Sequence, residues 1–156
     1  PDKTHIALLI VRVAACGNMI IHACTRLING GVAPFDGYLS SLGFPPYSAW
    51  VITFFELVAS ISIISGKWIV PLSILFCLQL FMGIVLVHFL EGWFVVGAGR
   101  NGMEYSVLLI ICFASTAVAN WKKWKSQSLY TREQRLCNYD HKPSTRLSNL
   151  PAITEL

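Results

Sequence analysis

The sequence predicts an all-α membrane protein, a four-helix transmembrane bundle followed by a basic cytoplasmic C-terminal tail. Three observations carry this reading. Of the 156 residues, 54% are hydrophobic and only 13% are charged, about half of the roughly 25% charge of a soluble domain. Four apolar segments recur along the chain, each near the roughly 20 residues that cross a bilayer. The formal charge of +4 lies wholly in residues 122–156, which carry seven basic side chains and three acidic ones, while residues 1–121 carry five of each sign. The body, 1–121, therefore reads as a transmembrane domain and 122–156 as a cytoplasmic tail.

The four spans run over about 6–28, 49–65, 68–90 and 105–120. The first is too long for the apolar core of a signal peptide, contains Arg12 and His22, and is followed by no small-residue cleavage site. Residues 29–47, with four glycines and three prolines, read as an ordered loop or re-entrant cap rather than a regular helix. Ser65-Gly66-Lys67 leaves room only for a tight turn, so the second and third spans form an antiparallel hairpin. Pro71 falls in the first turn of the third span, where its missing N–H does no harm. The connection to the fourth span is again glycine-rich. All five tryptophans (Trp50, Trp68, Trp93, Trp121, Trp124) stand at segment ends, as amphipathic rings do at the headgroup level. Helices rather than barrel strands follow from the length of the runs and from the need to satisfy every backbone group in lipid.

Orientation follows from the basic residues. The tail and Lys67 share one side, an even number of spans adds Lys3 to it, and the positive-inside rule places both termini in the cytoplasm. Within the tail, 121–135 reads as a short interfacial helix, followed by disordered chain or a docking peptide. The charge lies beside the last span, where anchoring charge is expected, which argues against nucleic acid as a partner. The five cysteines form no CxxC pair, and Cys137 with His141 supplies too few ligands for a metal site.

Ionisable residues inside the spans are the candidates for function, because a charge near the bilayer centre costs at least ~2.5–3.5 kcal/mol. At 100° per residue, Arg12, His22 and Arg26 share one face of the first span with Ala15, Cys16, Met19 and Ala23. Glu56 aligns with Thr53 and Ser60 on the second span. Arg12 and Glu56 are the expected structural ion pair. A second group gathers at the outer end: His22, Arg26, His88, Glu91, Arg100 and Glu104. It reads as a metal site, as a proton-coupled pocket for a quinone or small sulfur compound, or as side chains snorkelling to the interface. The spacing matches no metal motif. Gln79 and the Met82-Gly83 pair read as packing.

The order of these residues resembles the DoxX family of small four-helix membrane proteins. The resemblance rests on Arg12, on His22-Ala23-Cys24-Thr25-Arg26 (with Ala23 where the family usually has Gly), on Leu42-Gly43-Phe44-Pro45, on Glu56 ahead of Gly66, on His88, and on Glu104 after a glycine-rich stretch. It spans about residues 6–121 and implies a four-helix bundle in a bacterial inner membrane. It also implies likeness to the membrane subunit of a thiosulfate:quinone oxidoreductase. In that reading His22, His88 and Glu104 are catalytic, the histidines hydrogen-bonding a quinone oxygen and Glu104 moving protons. Arg26 and Arg100 would bind substrate, Arg26 by holding an anion such as thiosulfate. Two functional readings stand: an accessory, non-catalytic subunit that holds other membrane-protein subunits, and a quinone-linked oxidoreductase.

Overall fold

The computed structural model describes residues 2–95 and 102–140. Among these residues the chain is entirely helical: α1 (Lys3–Ile28), α2 (Val32–Ser41), α3 (Ser48–Ile64), α4 (Ile69–Gly83) and α5 (Glu104–Asp140). Past Gly83, α4 widens into a π-helical turn, Ile84–His88, and then tightens into a 3-10 turn, Phe89–Glu91. Three stretches are long and apolar enough to cross a membrane: Lys3–Ile28, Ile69–His88 and Glu104–Gln134. Ser48–Ile64 is equally apolar in character but shorter, at 17 residues.

The segment 29–47, expected as an ordered loop or re-entrant cap without regular helix, does hold a regular helix. This is the ten-residue α2, with Pro34 at its start and Gly43 just past its end in favourable places, while Gly37 is tolerated inside it. Pro34 lies in the first turn, where no intrahelical N–H bond is lost. Gly43 follows the end with φ of 89°, and the N–H of Phe44 reaches back to Leu39 O at 3.1 Å while that of Gly43 reaches Ser40 O at 3.0 Å. This is a Schellman closure. The same closure ends α1, where Gly30 (φ 66°) is followed by Gly31 N–H bonding Arg26 O at 2.8 Å. The chain thus leaves α1 in a sharp turn and lays α2 against α3.

Asp36 of α2 fixes the start of α3. Its two carboxylate oxygens accept from Tyr47 N at 2.9 Å and from Ala49 N at 3.0 Å. They do for α3 what an N-cap side chain does, from an element away. Tyr47 itself stands at φ 69°, a left-handed conformation unfavourable for a side chain with a Cβ. Asp36 holds it there. Val32, Leu39 and Ala49 form a small buried core between α2 and α3, with Phe35, Phe44 and Ile52 packed on it.

Residues 1–121 form one compact unit and 122–156 another. In the first, Ala15, Cys16 and Met19 of α1 meet Ala59 and Ile63 of α3, Phe76 of α4, and Leu109 and Phe113 of α5. Small side chains on α1 and α3 let the two backbones approach closely. Phe76 stacks on Phe113 at 4.6 Å between ring centroids, and Phe55 lies 5.1 Å from Phe76. In the second unit the helix continues to Asp140, beyond the short one expected for 121–135, and residues 122–134 are exposed. Residues 141–156, expected as disordered or docking chain, lie outside the described residues.

Candidate functional site

Above the packed layer of Phe76 and Phe113, α1, α2, α3, α4 and α5 enclose a cavity of about 770 Å³. Its walls are mostly apolar (among them Met19, Leu39, Ile52, Leu80 and Leu109), and its polar groups include Asn18, His22, Arg26, Glu56, Gln79 and His88. Predominantly apolar walls with a few convergent polar groups are the usual character of a small-molecule site.

The polar floor is one connected network. Arg26 Nη1 donates to Glu56 Oε2 at 3.2 Å and to Thr53 Oγ1 at 2.9 Å. Thr53 donates in turn to Ala49 O at 2.7 Å. Gln79 Nε2 donates to the other carboxylate oxygen, Glu56 Oε1. The Glu56 side chain is 2% exposed and that of Arg26 14%. The guanidinium also stands 4.8 Å from the centroid of the Phe35 ring, a cation–π contact that fixes its lower face.

This replaces the expected Arg12–Glu56 pair. Helical side chains lean toward the N-terminus of their own helix. On α1 that direction leads Arg26 inward, toward the bundle centre, and on antiparallel α3 it leads Glu56 outward, so the two approach each other. Arg12 lies 14 residues before Arg26, about 21 Å along the helix at 1.5 Å per residue, and leans further away. Its Nε is buried without a hydrogen-bond partner.

Of the other residues expected to be functional, His22 and His88 both line the cavity, His88 from the π-helical turn. Glu104 does not line it. It accepts from Val95 N at 3.0 Å, while the backbone N–H groups of Met103 and Glu104 reach Gly92 O and Trp93 O, each at 3.0 Å. Glu104 therefore braces the strip 92–95, whose Val95 forms part of the wall. Gly102 faces the cavity at the same place, and a Cβ there would lie 2.5 Å from the carbonyl oxygens of Trp93 and Phe94. Arg100 lies outside the described residues. Among the described residues no group of three or more His, Cys, Asp or Glu side chains is gathered to hold a metal ion.

Four participants were not read as functional from the sequence. Gln79, taken for packing, holds the Glu56 carboxylate. Thr53 holds Arg26. Tyr38 of α2 donates its hydroxyl to Leu86 O at 2.7 Å, a carbonyl of the π-helical turn. Asn18 bonds the Tyr105 hydroxyl, joining α1 to α5 beside the cavity. A lone amide within the apolar third span was the one available signal for Gln79. The tyrosines lie in a segment that composition had marked as loop and at a helix start, and carried none.

A chain whose described residues form only helices, with three apolar stretches of spanning length and a polar-floored cavity, is an integral membrane protein. It belongs to the DoxX family, whose family model matches residues 7–89, just over half of the chain. The match takes in α1 through the π-helical turn and so includes His22, Arg26, Glu56, Gln79 and His88, and stops before Glu104. No curated protein and no solved structure matches the chain.

Proposed function

We propose that this DoxX-family protein is the quinone-binding subunit of a membrane redox assembly. The observation that supports it is the cavity: at about 770 Å³ it lies in the range of small-molecule sites and has ample room for a quinone headgroup. Its floor presents a guanidinium already matched by a carboxylate, so it favours a neutral, polar-tipped ligand over a free anion. His22 and His88 on the wall would hydrogen-bond the carbonyl oxygens, and the Arg26–Glu56–Gln79 network would fix the depth to which the ring enters. Glu104 serves as a brace for the wall, one step removed from the ligand.

In this reading α1, α3, α4 and α5 cross a bacterial inner membrane as a four-helix bundle, with α2 capping the outer end and both termini cytoplasmic. Lys67 and the tail basic residues on one side support that orientation. A purely accessory role is favoured by a different observation, the exposed helical stretch 122–134, whose Lys122, Lys123, Lys125 and Arg132 would present a basic surface to a partner subunit.

Organic extraction of protein purified in mild detergent, followed by chromatography of the extract, tests the proposal. It expects a quinone in near-stoichiometric amount and its loss from an Arg26→Met, Glu56→Leu double variant. Co-purifying subunits with no quinone in either sample would leave the accessory role in its place.

A further inference from the structure

The cavity has an opening that bears on the kind of ligand it takes. Four lining side chains also face the exterior: His22 and Tyr105 on the α1–α5 flank, the latter 46% exposed with its hydroxyl bonded to Asn18, and Met82 (45%) and Tyr38 (41%) on the α2–α4 flank. On the α2–α4 flank Gly83 lines the cavity too, and a Cβ added there would meet nothing within 4 Å. The wider gap, the mouth, lies there between α2 and the Met82–Leu86 stretch, over a residue without a side chain. It is bridged there by the hydrogen bond from Tyr38 to Leu86 O. That carbonyl belongs to the π-helical turn, where the α-helical ladder is interrupted and a carbonyl is left for an outside donor.

The surroundings of the mouth show what it opens onto. It falls within Ile69–His88, a stretch apolar enough to cross a membrane. The neighbouring outward-facing side chains are Phe81, Val85 and Phe89, the first two 56% and 52% exposed. An apolar rim on a membrane-spanning stretch faces acyl chains and not water. On the opposite flank, near α1 and α5, the boundary is polar and joined by the Asn18–Tyr105 hydrogen bond.

We propose that the cavity opens sideways into the bilayer over Gly83, and that its ligand carries a long alkyl or isoprenoid chain which leaves through this gap while the polar head rests on the Arg26–Glu56–Gln79 floor. The proposal rests on the reading of the cavity as a quinone site and extends it, because it makes the chain a requirement for tight binding. Gly83 is then a specificity-determining residue. The Tyr38–Leu86 hydrogen bond spans the gap as a latch that yields when the chain passes.

The test uses the full-length protein in nanodiscs with two probes, a decyl-chain benzoquinone and the same ring without a chain. A photoreactive diazirine on the chain reports where it lies, by mass-spectrometric mapping of labelled peptides. The expected result is label on the peptides of Tyr38 and Met82–Leu86. Gly83→Phe, which fills open space, is expected to weaken the chain-bearing probe by about tenfold, a loss of ~1.4 kcal/mol, and to leave the chainless ring within about twofold. Gly83→Ala, with room for its methyl, is expected to bind both as the unaltered protein does. Label on α5 near Tyr105, or equal weakening of both probes by Gly83→Phe, would overturn the proposal while the cavity kept its quinone. Binding of neither probe to the unaltered protein would remove the quinone reading itself.

Discussion

Arg26 and Glu56 should prove energetically inseparable, and Arg12 should prove independent of both. Glu56→Leu takes away an acceptor with a 2% exposed side chain and strands two donors, Arg26 Nη1 and Gln79 Nε2. Thr53 and the Phe35 face remain to Arg26, but no charge faces it. Breaking a buried pair from one side costs roughly 3–5 kcal/mol, and one further unpaired donor costs about 1–3 kcal/mol. With Arg26 partly open to the cavity, the lower end, about 3 kcal/mol, is expected. The double variant Arg26→Met, Glu56→Leu removes both charges and should regain most of that loss, since apolar replacement of a whole pair is often near neutral. Stability is read by reversible unfolding in mixed micelles, as a double-mutant cycle. The Arg26–Glu56 coupling should therefore be at least about 2 kcal/mol, and the Arg12–Glu56 coupling should stay within ~0.5 kcal/mol, as for sites with no shared partner. A larger coupling to Arg12 than to Arg26 would refute the pairing and the side-chain-direction argument behind it.

Other consequences follow from single contacts. Asp36→Ala frees the N–H groups of Tyr47 and Ala49 and should cost about 1–2 kcal/mol in the same unfolding assay, while Asp36→Asn, which keeps one acceptor, should cost less. Gly102→Ala drives a Cβ into two carbonyl oxygens and should cost at least ~1–3 kcal/mol, against little change for Gly83→Ala, where a Cβ meets nothing; thermal melts of the two variants compare them directly. Glu104→Gln keeps an oxygen for Val95 N–H and should lower stability by about 1 kcal/mol or less, with quinone content unchanged. Cysteine-accessibility labelling should find Cys137 from the cytoplasmic side and a cysteine introduced beside Asp36 from the other.

The helical character of the apolar stretches was legible because it depends on summed hydrophobicity, which no single contact overrides. The ends of α1, α3 and α4 fall within a few residues of where the sequence puts them, with α4 passing into its π-helical turn before the expected end. The cap helix α2 was not legible from counts of glycine and proline, because the same residues break a helix in its interior and close one at its ends. Position decides, and Pro34 and Gly43 hold the favourable places. The ion pair is hidden in the sequence for a related reason. Facing is legible, since Arg12 and Arg26 share one arc of α1, but depth is not. A residue's level is set by its distance from its own helix end and by the lean of its side chain. Arg26 and Glu56 satisfy both. The bonds made by Tyr38 and Asn18 depend on where distant elements meet, and nothing local in the sequence encodes that.

The network also changes what Arg26 is able to bind. The resemblance to the DoxX family implies that it holds an anion such as thiosulfate. In the structure its charge faces Glu56 at 3.2 Å, its ring-facing side is covered by Phe35, and the cavity walls beyond the polar floor are mostly apolar. A small dianion entering this cavity would shed its hydration and sit beside a carboxylate, with no unmatched charge to offset either cost. A neutral carbonyl meets neither penalty. A guanidinium carries five N–H donors, and the hydrogen bonds here run from Nη1, so others remain for an oxygen acceptor. Glu56→Gln separates the two cases, because it unmatches the arginine while keeping the shape of the floor. Thiosulfate binding, followed by calorimetry, should be undetectable in the unaltered protein and should emerge in the Glu56→Gln variant. The ring of a quinone should bind the two within a few-fold. Tight thiosulfate binding by the unaltered protein would mean that Glu56 does not neutralise Arg26, and the case for a neutral headgroup would fall with it.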